Sequence, residues 1–321
     1  MCRPATVALV TARARPEVHV DHDMPLLHPA VMAAGVKAEV TAWDDPAVDW
    51  SSFDLAVIRS PWDYSWRSAE FLRWAEMCAR QTSLVNPLEV VRWNSNKGYL
   101  RELRDHQVPV VSTRYIRPGE AIELPADYEY VVKPAIGGGA RFCGRYQPGH
   151  DELARAHVRH LHSEGTAAMV QPYLHQIESS GERALVFIQG VFQHAIRKNA
   201  VLANGGRYDE DRDAHPGTIP WTPTPEELSV AQQALSAAPF PADMLLYARV
   251  DMIGDPGSVP TITELELIEP SLYLRFHPES VEPVARVIAE RAEQARATAA
   301  EPAAELSGVT PRRPEGSAVP R

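Results

Sequence analysis

The sequence predicts an α/β protein that opens with a parallel sheet. Three observations carry this. Short apolar, strand-like runs alternate with helical patterns over the first 85 residues, at spacings that suit crossover helices between parallel strands. A second α/β unit begins near residue 128, after Pro118 and Gly119 mark a boundary. Apolar runs at 245–252 and 260–268 flank the turn residues Gly254 to Ser258, so those two runs fold back on each other.

The elements follow in order. Residues 5–10 form a short apolar strand, and 24–35 a helix ending at Gly35. Val36, Ala38, Val40 and Ala42 alternate through a second strand at 36–43, and 54–59 is a third. A helix at 67–80 and a strand at 83–85 complete the first unit. In parallel sheets of this kind ligands bind beyond the carboxyl ends of the strands, where Arg59 to Tyr64 lie. A helix at 94–107 is capped by Asn94 or Ser95, with Tyr99, Leu100 and Leu103 on its apolar face. A strand near 112–116 follows. The second unit has a strand at Tyr128–Pro134, a helix at 150–163, strands at 167–174 and 183–198, and a helix at 224–237. The strands at 245–252 and 260–268 and a last helix at 279–299 end the ordered part. Residues 300–321 lack periodicity and read as a disordered tail.

The chain has 321 residues, 45% hydrophobic and 23% charged, enough for two or three packed units with a real core. Its net charge of −10 and its lack of a Lys/Arg block disfavour nucleic acid as a partner. No apolar run approaches the ~18 residues that span a bilayer, and the first strand is too short for a signal segment. No membrane partner and a cytoplasmic location are therefore expected. Cys2, Cys78 and Cys143 are far apart and make no disulfide framework. Cys78 reads as core; Cys143, beside a Gly-rich segment, lacks an identifiable histidine partner for nucleophilic work.

Chemistry concentrates in four segments. Asp251 ends one of the late strands, and Glu264 and Glu266 share a face of the next because strand residues two apart point the same way. Three converging carboxylates repel unless a hard cation such as Mg²⁺ neutralises them; the bland alternative is a solvated acidic face. Lys133 at a strand end precedes Gly137, Gly138 and Gly139, which allow backbone N–H groups to approach phosphates. This is neither a Walker pattern nor a dinucleotide fingerprint, and a plain flexible loop stays open as its reading. Gln171, Pro172, Tyr173 and Leu174 leave a strand in extended form, offering free backbone groups to an adenine edge, with Glu178 as the carboxylate for a ribose. A hairpin over 185–198 ends in Arg197 and Lys198, which face either solvent or an anionic substrate.

In this order (helix lysine, strand lysine, Gly loop, Gln-Pro hinge, basic hairpin end, Arg-x-Asp, Glu-x-Glu) the chain resembles the ATP-grasp superfamily over roughly residues 85–275. The resemblance implies an ATP-grasp fold: two α+β grasp lobes that clamp ATP, preceded by a parallel-sheet pre-grasp domain. It divides the chain into 1–90 (pre-grasp), 91–180 (lobe with the lysine and Gly loop), 181–300 (lobe with the metal-binding carboxylates) and the tail 301–321. It puts Lys97 and Lys133 on the phosphates, with loop 137–141 closing over them. It puts backbone 171–174 on adenine, Glu178 on ribose, and Asp251, Glu264 and Glu266 on Mg²⁺. Arg249, Lys198 and Lys133 are the implied catalytic residues. The family's metal motif usually ends Glu-x-Asn; here Glu266 replaces the amide.

Ser60 to Tyr64, Trp93 to Lys97 and Glu264 to Leu272 are similar to a group of compact bacterial ATP-grasp proteins that includes the O-ureidoserine cyclo-ligase of cycloserine biosynthesis. The similarity to bacterial glutathione synthetases is more distant. The implied activity is an ADP-forming carbon–nitrogen ligase. It would activate an amino-acid carboxylate as an acylphosphate and form an amide-type bond, by ring closure in the cyclo-ligase case. Tyr64, Glu269 and Ser271 are the candidates for holding a small amino-acid-like substrate, and a homodimer fits the family. The rivals are an intermolecular amino-acid ligase, a non-catalytic ATP-binding protein, and a metal hydrolase built on His157 and His160. Nothing in the sequence ties those histidines to the acidic cluster.

Overall fold

The computed structural model describes residues 3–13, 20–203, 217–255 and 257–300. The first unit is β1 (Thr6–Thr11), α1 (Met24–Ala33), β2 (Lys37–Ala42), β3 (Leu55–Ser60), α2 (Ser68–Ala79) and β4 (Ser83–Val85). Its sheet is parallel throughout, ordered β2-β1-β3-β4. β3 is buried at every position, as a strand covered on both faces must be. One face packs on α1 and on the last helix among the described residues, α8 (Val281–Ala300), through Leu27, Val31, Ile288 and Ala292. The other packs on Trp43, Trp50, Phe71 and Trp74, whose rings meet mostly edge-on.

The expected helix at 94–107 is shorter, α4 (Tyr99–Asp105), and an unexpected helix, α3 (Leu88–Asn94), precedes it. Between them the Asn96 side chain accepts the Gly98 N–H at 2.9 Å, and the Lys97 N–H donates to the Ala135 carbonyl at 2.8 Å. Lys97 lies in the segment between the two helices and is buried. The first lobe follows: β5 (Arg114–Ile116), β6 (Tyr130–Pro134), β7 (Gly144–Tyr146), α5 (Asp151–Ser163) and β8 (Ala168–Pro172), an antiparallel sheet ordered β5-β8-β6-β7 with α5 against it. After α6 (Gln176–Ser180) come β9 (Glu182–Ile188), β10 (Val191–Lys198), β11 (Ile219–Trp221), α7 (Pro225–Ala237), β12 (Tyr247–Ile253) and β13 (Thr261–Glu266). They form an antiparallel sheet ordered β11-β10-β9-β12-β13. α7 starts with a full capping box between Thr224 and Glu227. Sequence periodicity missed α3, β7, α6 and β11, all seven residues or fewer. The tail at 301–321 lies outside the described residues.

Side chains join the first unit to the last sheet. β13 is an edge strand, and its backbone is covered by Asn94: Nδ2 donates to the Leu265 carbonyl and Oδ1 accepts the Leu267 N–H, both at 2.8 Å. Asn86 does the same for Tyr247, Leu267 and Leu246. Asp23 accepts the N–H groups of Leu272, Tyr273 and Leu274 at 2.7, 3.0 and 2.8 Å, holding Tyr273 in a left-handed backbone conformation at φ 54°.

Candidate active site

The β12–β13 register pairs Arg249 with Glu266 and Asp251 with Glu264, so the strand period aims all four side chains at one face. Lys198, at the end of β10, reaches the same face. Its Nζ lies 2.9 Å from Asp251 and 2.8 Å from Glu182. Arg249 clamps Asp251 at 2.8 and 3.0 Å and also contacts Glu266. Burial opposes ionisation of Asp251, but Arg249 and Lys198 outweigh it and hold the carboxyl well below its ordinary range. Glu266 goes the other way. Burial, and then the nearby Glu264, Asp251 and Glu269 charges, overcome the pull of Arg249 and push it up to about 8.

Lys97 enters from the α3–α4 break. Its ammonium lies 2.9 Å from Glu264 and donates to the Gly137 carbonyl at the root of the Gly loop. Burial alone would lower its pKa, but Glu264 reverses this. Two cavities meet along this line. Gly137, Gly138, Gly139, Arg141, Lys97, Arg249, Glu264 and Glu266 line both. Beyond them the second cavity is lined by Lys133, Cys143, the whole segment Gln171–Leu174, Glu182, Lys198 and Asp251, a slot with an apolar strand end at one side and charge at the other. The first cavity is lined by Tyr64, Trp66, Asp23, Glu269, Ser271, Tyr273 and Arg275. Glu269 is buried and pushed up to about 7, although Tyr64 hydrogen-bonds it.

Glu178 is a correction. Its carboxylate is drawn to Arg145 at 2.6 Å and Tyr173 at 3.2 Å, and it lines neither cavity. Arg145, 3.6 Å from the Tyr173 ring centroid, pulls it away, whereas Glu182 lines the second cavity together with Asp251, Glu264 and Glu266. The Gln171 side chain is likewise committed, donating to Thr113 at 2.8 Å, so only backbone there faces a ligand. His157 is a core residue: it hydrogen-bonds Tyr146 at 3.0 Å, and burial takes it down to about 4. Cys78 is core as expected, its thiol pushed up to about 12 by burial. From sequence, Asp23, Trp66 and Glu182 have no role, Asn94 is only a helix cap and Arg141 only part of the loop 137–141; the polar ones work through pairings formed only on folding.

The donor set suits a hard divalent cation with phosphates. It has oxygen ligands only: Asp251, Glu264 and Glu266 share one face of β12 and β13 and line the second cavity. Among the described residues no three His, Cys, Asp or Glu side chains are disposed as a metal site. Each carboxylate instead faces a cation, with one oxygen each of Glu264 and Glu266 outside the ion pairs.

Solved structures share this architecture. D-alanine–D-alanine ligase from Bacillus anthracis superposes with a TM-score of 0.63 at 13% identity, covering 92% of this chain and 99% of that one. A RimK-domain ATP-grasp protein from Sphaerobacter thermophilus superposes at 0.58 with 20% identity, covering 89% and 99%. The fold is therefore that of the ATP-grasp ligases. Residues 7–86 match the family model of the N-terminal domain of the D-cycloserine synthetase DcsG. The chain is 36% identical over 291 residues to the cycloserine biosynthesis protein DcsG of Streptomyces lavendulae, covering 85% of this chain and 94% of that one. The crystal structure of D-cycloserine synthetase DcsG superposes with a TM-score of 0.80 at 34% identity, over 90% of this chain and all of that one. The chain belongs to the DcsG family of ATP-grasp ligases, and it is an ATP-dependent carbon–nitrogen ligase. No helix among its described residues is long and apolar enough to cross a membrane.

Proposed function

We propose that this ligase closes a ring within one small amino-acid substrate of the O-ureidoserine type, with Mg²⁺ as the metal. The observation that carries this is the pair of cavities sharing one wall at Lys97, Arg249, Glu264 and Glu266. The second, with its lysines, glycines and extended backbone, suits a nucleotide, and the first, lined by charged and hydrogen-bonding side chains of both signs, suits a small amino acid. The substrate carboxylate attacks the γ-phosphate, the bond to the β-phosphate oxygen breaks, and ADP leaves. A nitrogen of the same molecule then attacks the acyl carbon and expels phosphate. Catalysis is positioning and charge neutralisation. Lys97 and Lys133 hold the phosphates, while Arg249 and Lys198 offset the developing charge. Gly137, Gly138 and Gly139 cover the phosphates, and backbone 171–174 takes the adenine edge. Glu182 takes the ribose role expected of Glu178. Glu264 and Glu266, with Asp251 behind them, would hold Mg²⁺, which supplies charge neutralisation between phosphates when bound. Tyr64, Glu269 and Ser271 seat the ammonium end of the substrate.

In this reading the working segments are 1–90, 91–180 and 181–300, the enzyme acts in the cytoplasm, and it forms a homodimer. The experiment is ADP release from Mg-ATP with amino acids singly and in pairs, O-ureidoserine of both hands included. ADP and a ring product from one compound alone are expected. ADP only with pairs would replace the reading with an intermolecular ligase, and ATP binding without ADP from any of them would refute it.

A further inference from the structure

Trp66 ends the short 3-10 turn after β3, and 39% of it is exposed, unusual for a tryptophan beside a well-packed aromatic core. Its ring carries the Arg141 guanidinium 3.9 Å from its centroid. Arg141 belongs to the glycine-rich loop, so this contact spans the first unit and the loop that borders the nucleotide cavity. Both side chains wall the amino-acid cavity, and Arg141 with Gly137, Gly138 and Gly139 walls the other one too.

The loop needs such a hold. Gly139, Ala140 and Phe142 have φ of 62°, 56° and 50°, and the last two are residues that resist left-handed backbone. Lys97 pins the root of the loop through the Gly137 carbonyl, but the tip is four residues further on. The Trp66 turn is itself fixed to the substrate wall, since Trp62 Nε1 donates to the Glu269 carbonyl at 3.1 Å.

We propose that the Trp66–Arg141 stack is a latch that couples occupancy of the amino-acid cavity to closure of the glycine loop over the nucleotide, making Trp66 a positioning residue for the ligase reaction. A substrate resting between the substrate wall and this stack favours the latched state, and a ligand shifts an equilibrium by its differential affinity for the two states. With the latch open, the loop no longer excludes water, and an acylphosphate hydrolyses instead of closing its ring. The nucleotide half of this inference rests on the proposed function.

The test uses the full-length protein and W66A, W66F and R141K. Phenylalanine keeps an aromatic face; lysine keeps the charge but loses the planar stack. In ligand-free protein, hydrogen exchange of amides 137–143 is expected to rise about tenfold in W66A and R141K and much less in W66F. With Mg-ATP and O-ureidoserine, ADP released per ring product is expected to stay near one in the unaltered protein and W66F. In W66A and R141K it should rise to about two or more as phosphate is lost to water. Unchanged exchange in both disrupting variants would overturn the latch, and an unchanged product ratio would overturn the coupling. If the unaltered protein forms no ADP, the ligase reading fails while the exchange measurement still decides the latch.

Discussion

Replacing Asn94 by alanine should leave two buried backbone groups at the edge of the β13 segment without partners. Asn94 is 7% exposed, and its amide makes two hydrogen bonds of 2.8 Å to the strand edge, donating to the Leu265 carbonyl and accepting the Leu267 N–H. Leu265 and Leu267 are 1% and 0% exposed, so no bulk water replaces those partners. Leaving a buried backbone group unsatisfied costs about 1–3 kcal/mol, hence about 2–6 kcal/mol for two, and local relaxation brings the expectation to about 3 kcal/mol. Urea unfolding should show that loss as a lower midpoint with an unchanged slope. Hydrogen exchange of the Leu267 amide should accelerate, while that of Leu265, which donates to the Tyr99 hydroxyl at 3.1 Å, should move less. Since β13 also carries Glu264 and Glu266, ligase turnover should fall by up to about a hundredfold, as expected for an ångström-scale displacement of positioned groups. A stability loss under about 0.5 kcal/mol would refute the claim that Asn94 acts as the missing neighbour of the edge strand.

Three more predictions accompany it. Lys133→Met and Glu264→Gln should each abolish ADP formation while leaving the circular dichroism spectrum and thermal midpoint close to the original; wild-type rates in either would sink the assigned roles. Glu269, pushed up to about 7 by burial first, holds a cationic amine best when ionised, so substrate affinity should fall as pH drops below about 7. Glu269→Gln should raise KM about tenfold or more and remove that acid limb; an unchanged KM profile would argue for another ammonium seat. His194 is held neutral, with its ring 2.8 Å from Ser280 Oγ and 2.7 Å from the Leu272 carbonyl, and burial takes it down to about 4. Because its folded value is below its unfolded one, the unfolded chain binds the extra proton. Stability from this residue is therefore complete above about pH 6.5 and is lost as pH falls toward 4, by up to about 3 kcal/mol. His194→Gln should flatten that part of the pH–stability curve, and an unchanged slope would contradict the assignment.

The parallel sheet was legible because its strands are short, apolar and separated by helical periodicity, and the carboxylate face because strand period alone aligns Glu264 with Glu266. The helix break at Lys97 was not legible. Residues 94–107 carry good helical spacing, and of the competing interactions Asn96 on Gly98 is local but Lys97 on Ala135 involves a partner remote in sequence. Glu178 was read as a ribose ligand from its distance along the chain, a property that says nothing of Arg145, which takes its charge.

What this sequence determined by itself was the order of chemical parts: lysines, glycine loop, extended hinge, basic strand end and acidic strand pair. Local spacing and residue type suffice for that, because period and backbone permissiveness act within a few residues. Tertiary structure alone decided which charges meet. Asp251 is depressed and Glu266 raised, though both are acids on one face, because Arg249 and Lys198 bracket the first while burial, and then neighbouring carboxylates, act on the second. Electrostatic energy in a buried site depends on distances of a few ångströms between residues remote in sequence, and only the packed sheets set those distances.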